Sequence, residues 1–135
     1  MIEQGKPAEA LKSFEDALQH DPKNAEILLE AGEAARAAGD LPLSQQFLDR
    51  AVRLSPENAL IRRARGETML ASGDPEGALT DLLEAARLDP SDPAPHHSLA
   101  KAYEALNRPE AERERQLAEQ LEKEAALPSL SGTSP

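Results

Sequence analysis

The chain has 135 residues, enough for one ordinary domain or a short repeat array and too few for two units with separate cores. Aromatic residues are only 2%, so any core is built from Ala, Leu, Ile and Val, and an Ala/Leu/Glu/Arg-rich composition of this kind predicts helices. With 25 acidic against 15 basic residues the net charge is -10, which excludes nonspecific binding to a phosphate backbone, since that needs a surplus of Lys and Arg. Zero cysteines exclude disulfides, thiolate metal ligands and cysteine nucleophiles, without identifying a redox compartment. Apolar runs such as Ile27 to Leu29 fall far short of the roughly 18 residues of a membrane span. The opening Met1-Ile-Glu-Gln-Gly-Lys-Pro lacks the basic and apolar regions of a secretion signal, so the expected location is cytoplasmic.

In chain order, the first helix is predicted over about 7–20, where Ala10, Leu11, Phe14, Ala17 and Leu18 follow helical spacing. Asn24 has a side-chain oxygen able to accept from free amides and starts a second helix at 25–38, which Gly39 ends in the left-handed conformation. Asp40 caps a third helix at 42–54 with the stripe Leu43, Phe47, Leu48, Ala51 and Val52. The same signals return with Asn58 for 59–72, closed by Gly73, and with Asp74 and Pro75 for 75–88, whose stripe is Leu79, Leu82, Leu83 and Ala86. Asp92 caps 93–106, Asn107 replaces the closing glycine, and a last helix covers 109–126. Pro22, Pro56 and Pro90 stop the helices before them.

These signals repeat with a spacing of 34 residues, shared by the three prolines and by Gly5, Gly39 and Gly73, with Gly32 and Gly66 on a second phase. One helix pair cannot bury its apolar stripe alone, so the units must stack into an all-α solenoid held by nearest-neighbour contacts.

A helix-turn-helix unit of this length, with small residues and a proline at fixed phases, resembles the tetratricopeptide repeat. The resemblance rests on Gly32, Leu48, Ala51 and Pro56 in one unit and on Gly66, Ala78, Leu82, Ala85 and Pro90 in the next, with Leu99, Ala100 and Tyr103 in the third. It implies a right-handed superhelical solenoid of antiparallel helix pairs. The expected organisation is an incomplete unit at 1–24 holding only a second helix, units at 25–58 and 59–92, a degenerate unit at 93–126 with a C-terminal capping helix, and a disordered tail at 127–135. The family's tryptophan site carries Leu28, Arg62 and His96, and Ser44 stands in place of an alanine. In the third unit strict register puts Glu112, Gln116 and Glu119 where apolar residues belong. Either one residue is deleted near Arg108, or this helix is a polar-faced cap with the sparse stripe Ala111, Leu117, Ala118, Leu121 and Ala125. Because the first helix lacks a partner, its face of Leu11, Phe14 and Leu18 is expected to be partly bare and open to self-association, and the chain is expected to be the C-terminal part of a longer repeat protein or a truncated one.

No catalytic constellation is legible. His96 and His97 are adjacent on a helix and point about a hundred degrees apart, unlike a helical i, i+4 metal pair, and His20 sits at a helix end. The serines lack nucleophile-elbow context, and there is no Gly-rich phosphate loop. No enzyme activity, metal or cofactor is therefore expected. The acidic run 110–124, interrupted by Arg113, Arg115 and Lys123, reads as a solvated face laced with weak ion pairs.

The resemblance implies an inner groove lined by the first helices of successive units. The matching residues are Glu26, Leu29, Glu30, Glu33 and Arg36, then Leu60, Arg63, Glu67 and Leu70, then Ala94, His97, Ser98, Lys101 and Glu104. Such a surface suits an extended peptide or a partner helix, with charge setting orientation. One subfamily grips the C-terminal carboxylate of chaperones with Lys and Asn, but Leu29, Glu33 and Ala64 stand at those positions here, which disfavours that ligand. The expected function is a noncatalytic protein-binding scaffold. The alternative is the repeat segment of a larger multidomain enzyme or secretion or assembly component whose chemistry lies elsewhere.

Overall fold

The computed structural model describes residues 2–127. The tail reading for 128–135 lies outside the described residues. Seven helices follow in order: α1 (Ile2–His20), α2 (Ala25–Ala37), α3 (Leu41–Leu54), α4 (Ala59–Ala71), α5 (Pro75–Leu88), α6 (Ala94–Ala105) and α7 (Glu110–Ala126). No strand occurs among the described residues. Six of the helices match the sequence reading at both ends to within a residue or so, while α1 extends upstream through Pro7, which lacks a ladder amide and so looked like a helix start.

The caps explain why the helices begin where they do. Asn24 Oδ1 accepts from the Ile27 amide and Asn58 Oδ1 from the Ile61 amide, each at 3.1 Å. Asp40 and Asp74 do the same for Leu43 and Gly77. Asp92 departs from this pattern. Three residues on stands Pro95, which has no N–H, so the Asp92 carboxylate accepts instead from Ala94 at 3.0 Å and α6 starts at that residue. At the opposite ends, Gly39 and Gly73 take φ of +89° and +85°, and Asn107 takes 56°. These left-handed residues let the next amide reach back to the helix, as Asp40 N does to Ala35 O at 2.8 Å and Arg108 N to Tyr103 O at 2.8 Å.

Each turn places consecutive helices side by side, with α2 on α3, α4 on α5 and α6 on α7. Helices α2, α4 and α6 also touch one another in succession, whereas α3 does not pack on α5, nor α5 on α7, among the described residues. One row is thus close-packed and the other splayed, which curves the stack around the α2/α4/α6 side. The close approach within a pair depends on glycine. A Cβ on Gly32 would lie 2.6 Å from Leu48 Cγ, and one on Gly66 would lie 2.7 Å from Leu82 Cγ. Leu48 and Leu82 are fully buried in those gaps.

Two apolar clusters form the core. The first joins Leu18, Leu28, Ala31, Phe47, Val52 and Ile61, with Leu11 and Phe14 half-buried against it. Of the face expected to be partly bare, Leu18 is 6% exposed because α1 lies on α2, while Leu11 and Phe14 remain half-buried. The second cluster joins Leu79, Leu82, Leu99, Ala102, Tyr103 and Ala111.

In α7 the buried residues are Ala111 and Ala118, with Glu114 half-buried between them. They fall one residue earlier than the repeat spacing from Ala78, Asp81 and Ala85 would put them. Register is therefore set back by one residue between Asn107 and Ala111, which restores small residues to the helix contact, while most of the rest of α7 is exposed. Arg108 occupies the place of the capping Asp40 and Asp74, and α7 has no side-chain N-cap.

Tyr103 is the only tyrosine, and burial, reinforced by the charges of Glu114 and Glu110 against the opposing Arg108, pushes its hydroxyl above the ordinary value. A folded-state pKa above the unfolded one contributes stability that is present below the unfolded value and lost as pH rises through the folded value. Phenolate absorbance is accordingly expected to appear at higher pH in the native chain than in the same chain in denaturant, with native helicity falling over that alkaline window. Coincident midpoints would show that Tyr103 is solvated.

Candidate protein-binding surface

The row formed by α2, α4 and α6 carries the residues assigned to the groove, and the structure ties several of them together. Glu67 of α4 is the hub. Its Oε1 accepts from Arg36 Nη1 of α2 at 3.1 Å, and its Oε2 accepts from Ser98 Oγ of α6 at 3.2 Å. Arg63 Nε lies 3.7 Å from the same carboxylate and Nη1 lies 3.6 Å from Asp92, so Arg63 is held by charge at distances too long for good hydrogen bonds. Its buried Nε has no hydrogen-bond partner.

Around this hub the surface grades in charge. Glu26 and Glu30 are exposed on α2, Glu33 is half-buried, and Lys101 is exposed on α6. Pro7, Ala10, Phe14 and Ala34 line a hollow with Glu30 and Glu33 at the end nearer α1. Leu29 and Leu70 are half-buried against the two cores, whereas Leu60 is 52% exposed. Ala94 is half-buried at the first turn of α6. His97 and Glu104 are drawn toward α7, to Glu122 at 2.9 Å and Arg115 at 3.2 Å, and do not join the Glu67 hub.

The histidines behave as helix-packing groups. His96 Nδ1 pairs with Glu114 Oε1 at 2.6 Å, bridging α6 and α7 where the resemblance leads one to expect a tryptophan. No group of three or more His, Cys, Asp or Glu that could hold a metal ion occurs among the described residues. Arg115 pairs with Glu112 at 3.1 Å on the exposed face of α7, the kind of ion pair the acidic run suggests.

A second polar assembly was not legible in the sequence. Asp81 of α5, 1% exposed, accepts from Arg62 Nη1 at 3.0 Å, Arg65 Nε at 2.7 Å and Arg65 Nη2 at 3.0 Å. Arg65 Nη1 extends the chain to Asp49 of α3 at 3.2 Å, so the network joins three helices. The hydrogen bond to Asp81 raises the Arg65 pKa further above its ordinary value, against the opposing effect of burial. Arg62 is the residue at the tryptophan site, and its carboxylate partner explains how a cation is tolerated there. Ser44, the other departure, is fully buried, donates to Gly32 O at 2.7 Å and shares a 3.1 Å bond with Thr68 Oγ1.

Seven antiparallel helices with one close-packed and one splayed row define an all-α repeat solenoid. Its sequence matches a tetratricopeptide-repeat family model over residues 1–67 and a TPR repeat model over residues 69–107. The chain belongs to the tetratricopeptide repeat family, whose fold serves in general as a noncatalytic scaffold for protein interaction. No curated protein sequence matches it.

Solved structures share the fold. MamA superposes with a TM-score of 0.82 at 22% identity, over 93% of this chain and 74% of that one. The first TPR of Spaghetti (RPAP3), solved bound to the HSP90 peptide SRMEEVD, has a TM-score of 0.73 at 23% identity, over 78% of this chain and 84% of that one. The Thermobaculum terrenum O-GlcNAc transferase is 30% identical with a TM-score of 0.69, over 74% of this chain but only 19% of the transferase. No helix among the described residues is long and apolar enough to cross a membrane.

Proposed function

We propose that the chain is a noncatalytic scaffold that holds an extended peptide or a helix of a partner protein along the α2/α4/α6 row, in units spanning 25–58, 59–92 and 93–126 after the incomplete unit at 1–24. The observation carrying this reading is the Glu67 hub, which fixes Arg36, Arg63 and Ser98 from three successive helices on one face. A preorganised polar surface loses little side-chain entropy when it binds. The acidic end at Glu26, Glu30 and Glu33 and the cation at Lys101 would set the direction of the bound segment. The Spaghetti structure, with its bound peptide, supports a peptide as the type of ligand. The absence of the chaperone-clamp Lys and Asn at Leu29, Glu33 and Ala64 argues against that family of acidic tails.

Lys101 and Glu30 are the residues to vary, because neither makes an ion pair among the described residues and reversal leaves the hub intact. Peptides selected from a random display library on the wild-type chain are expected to bind Lys101→Glu and Glu30→Lys about tenfold more weakly, or about 1.4 kcal/mol. Unchanged affinity in both variants would remove the groove assignment.

The transferase match favours a second reading, in which the chain is the repeat portion of a larger protein that carries chemistry elsewhere. An adjoining domain in the intact reading frame would establish it. A cytoplasmic location accords with both readings, and fractionation of the native protein would test it.

A further inference from the structure

A cleft outside the α2/α4/α6 row has a chemistry at odds with the rest of the molecule. It lies between the α1–α2 turn and the end of α3 and is lined by Pro22, Lys23, Arg50, Arg53 and Leu54. Arg50 donates to the Pro22 carbonyl at 3.1 Å, which fixes the guanidinium across the cleft and leaves its other donors without a hydrogen-bond partner among the described residues. Lys23 and Arg53 make no hydrogen bond or ion pair among the described residues, and Leu54 at the rim is 43% exposed. The nearby carboxylate of Asp21 is occupied by the Asn24 side chain at 3.0 Å.

For the two arginines this unpaired state is unusual among the described residues. Apart from Arg113, every arginine outside the cleft lies within ion-pair distance of a carboxylate. The repeat provides an internal comparison. One period on, the corresponding positions are Pro56, Glu57, Glu84, Arg87 and Leu88, and there Arg87 is closed onto Glu84 by bonds of 2.9 and 2.6 Å. At the next turn the crevice is lined by Ser91, Leu121, Glu124 and Ala125. The same fold feature is thus basic and open in one copy and self-neutralised in the second, while in the third, with α7 set back by one residue, the corresponding Pro90, Ser91, Leu117, Gln120 and Leu121 carry no charge. The partial negative charge at the C-terminus of α3 accounts for one cation in its last turn, Arg53, but leaves Lys23 and Arg50 unexplained.

We propose that this cleft is a second binding site, taking a short acidic segment of a partner protein in which one or two carboxylates alternate with an apolar side chain. Arg50 and Arg53 lie three residues apart on one face of α3 and can present a fork to a carboxylate, with Lys23 closing from the loop. Pro22 and Leu54 supply the apolar contact. The net charge of -10 repels long polyanions, so nucleic acid is disfavoured, whereas a short motif meets three local cations within a screening length.

The test is an amide NMR titration of the full chain with the acetylated, amidated tetrapeptide Glu-Leu-Glu-Leu. Saturable shifts are expected at Lys23, Arg50, Arg53 and Leu54, with none from the Gln-Leu-Gln-Leu analogue. The double variant K23E/R53E, which removes no contact seen in the structure, should weaken binding at least about tenfold, or about 1.4 kcal/mol. The K12E/R113E variant, of equal net charge, should bind as wild type. Equal binding to K23E/R53E, equal response to the Gln peptide, or the same shifts from inorganic phosphate alone would overturn the proposal. Shifts confined to α2, α4 and α6 would also overturn it while leaving the groove reading standing.

Discussion

Replacing Asp81 by alanine is expected to destabilise the chain by about 3 kcal/mol, since removing one partner of a buried ion pair strands the charges it compensated. Asp81 is 1% exposed and receives three hydrogen bonds from Arg62 and Arg65, whose side chains keep only 19% and 20% of their exposure. Without the carboxylate both guanidiniums face a low-dielectric junction between α4 and α5, and the link through Arg65 to Asp49 of α3 loosens with it. Stability in a solenoid is close to a sum of units and neighbour interfaces, so a defect at this central junction should also lower cooperativity. Urea unfolding followed by circular dichroism measures both quantities. A midpoint within error of wild type would show that Arg62 and Arg65 reach water and that the network contributes little.

The second large effect concerns the glycine and leucine pairs. Leu48→Ala should cost about 2–5 kcal/mol, because Leu48 is fully buried and its loss leaves a cavity under α2. Gly32→Ala should cost about 1–3 kcal/mol despite the better helix propensity of alanine, since the new Cβ would meet Leu48 Cγ at 2.6 Å and Cδ2 at 2.7 Å. These atoms lie close to the Leu48 backbone in a filled core and cannot simply rotate away. In the double variant the methyl enters the space the leucine vacates, so the combined loss should be smaller than the sum. Strict additivity in denaturant unfolding would mean that α2 and α3 separate instead of repacking.

How far these features could be read in advance varied with their range. Asn24, Asn58, Asp40 and Asp74 were identifiable as caps because capping acts over three residues, and Gly39, Gly73 and Asn107 were identifiable because only such residues hold a positive φ cheaply. Asp92 fell outside the rule through an equally local cause, the missing amide of Pro95. The groove residues were placed by the phase of the repeat, yet phase alone did not separate Arg36, Glu67 and Ser98, which meet, from His97 and Glu104, which turn toward α7. Asp81 escaped notice because an aspartate on a helix ordinarily faces water, and its arginine partners lie 16 and 19 residues away. Its one advance signal was Arg62 at a site suited to a large apolar side chain.

The amino-acid sequence by itself determined the helices, their ends and the repeating order in which they stack, because caps, breakers and apolar periodicity are properties of a few neighbouring residues. Only the tertiary structure decided which charges are buried together at Asp81, that Leu18 of α1 is buried against α2, that α7 is set back by one residue, and that the arginines beside Pro22 stay unpaired while Arg87 is neutralised. Each of these depends on the distance between side chains far apart in sequence. That distance is set by how closely one helix can approach the next, at Gly32 and Gly66 above all.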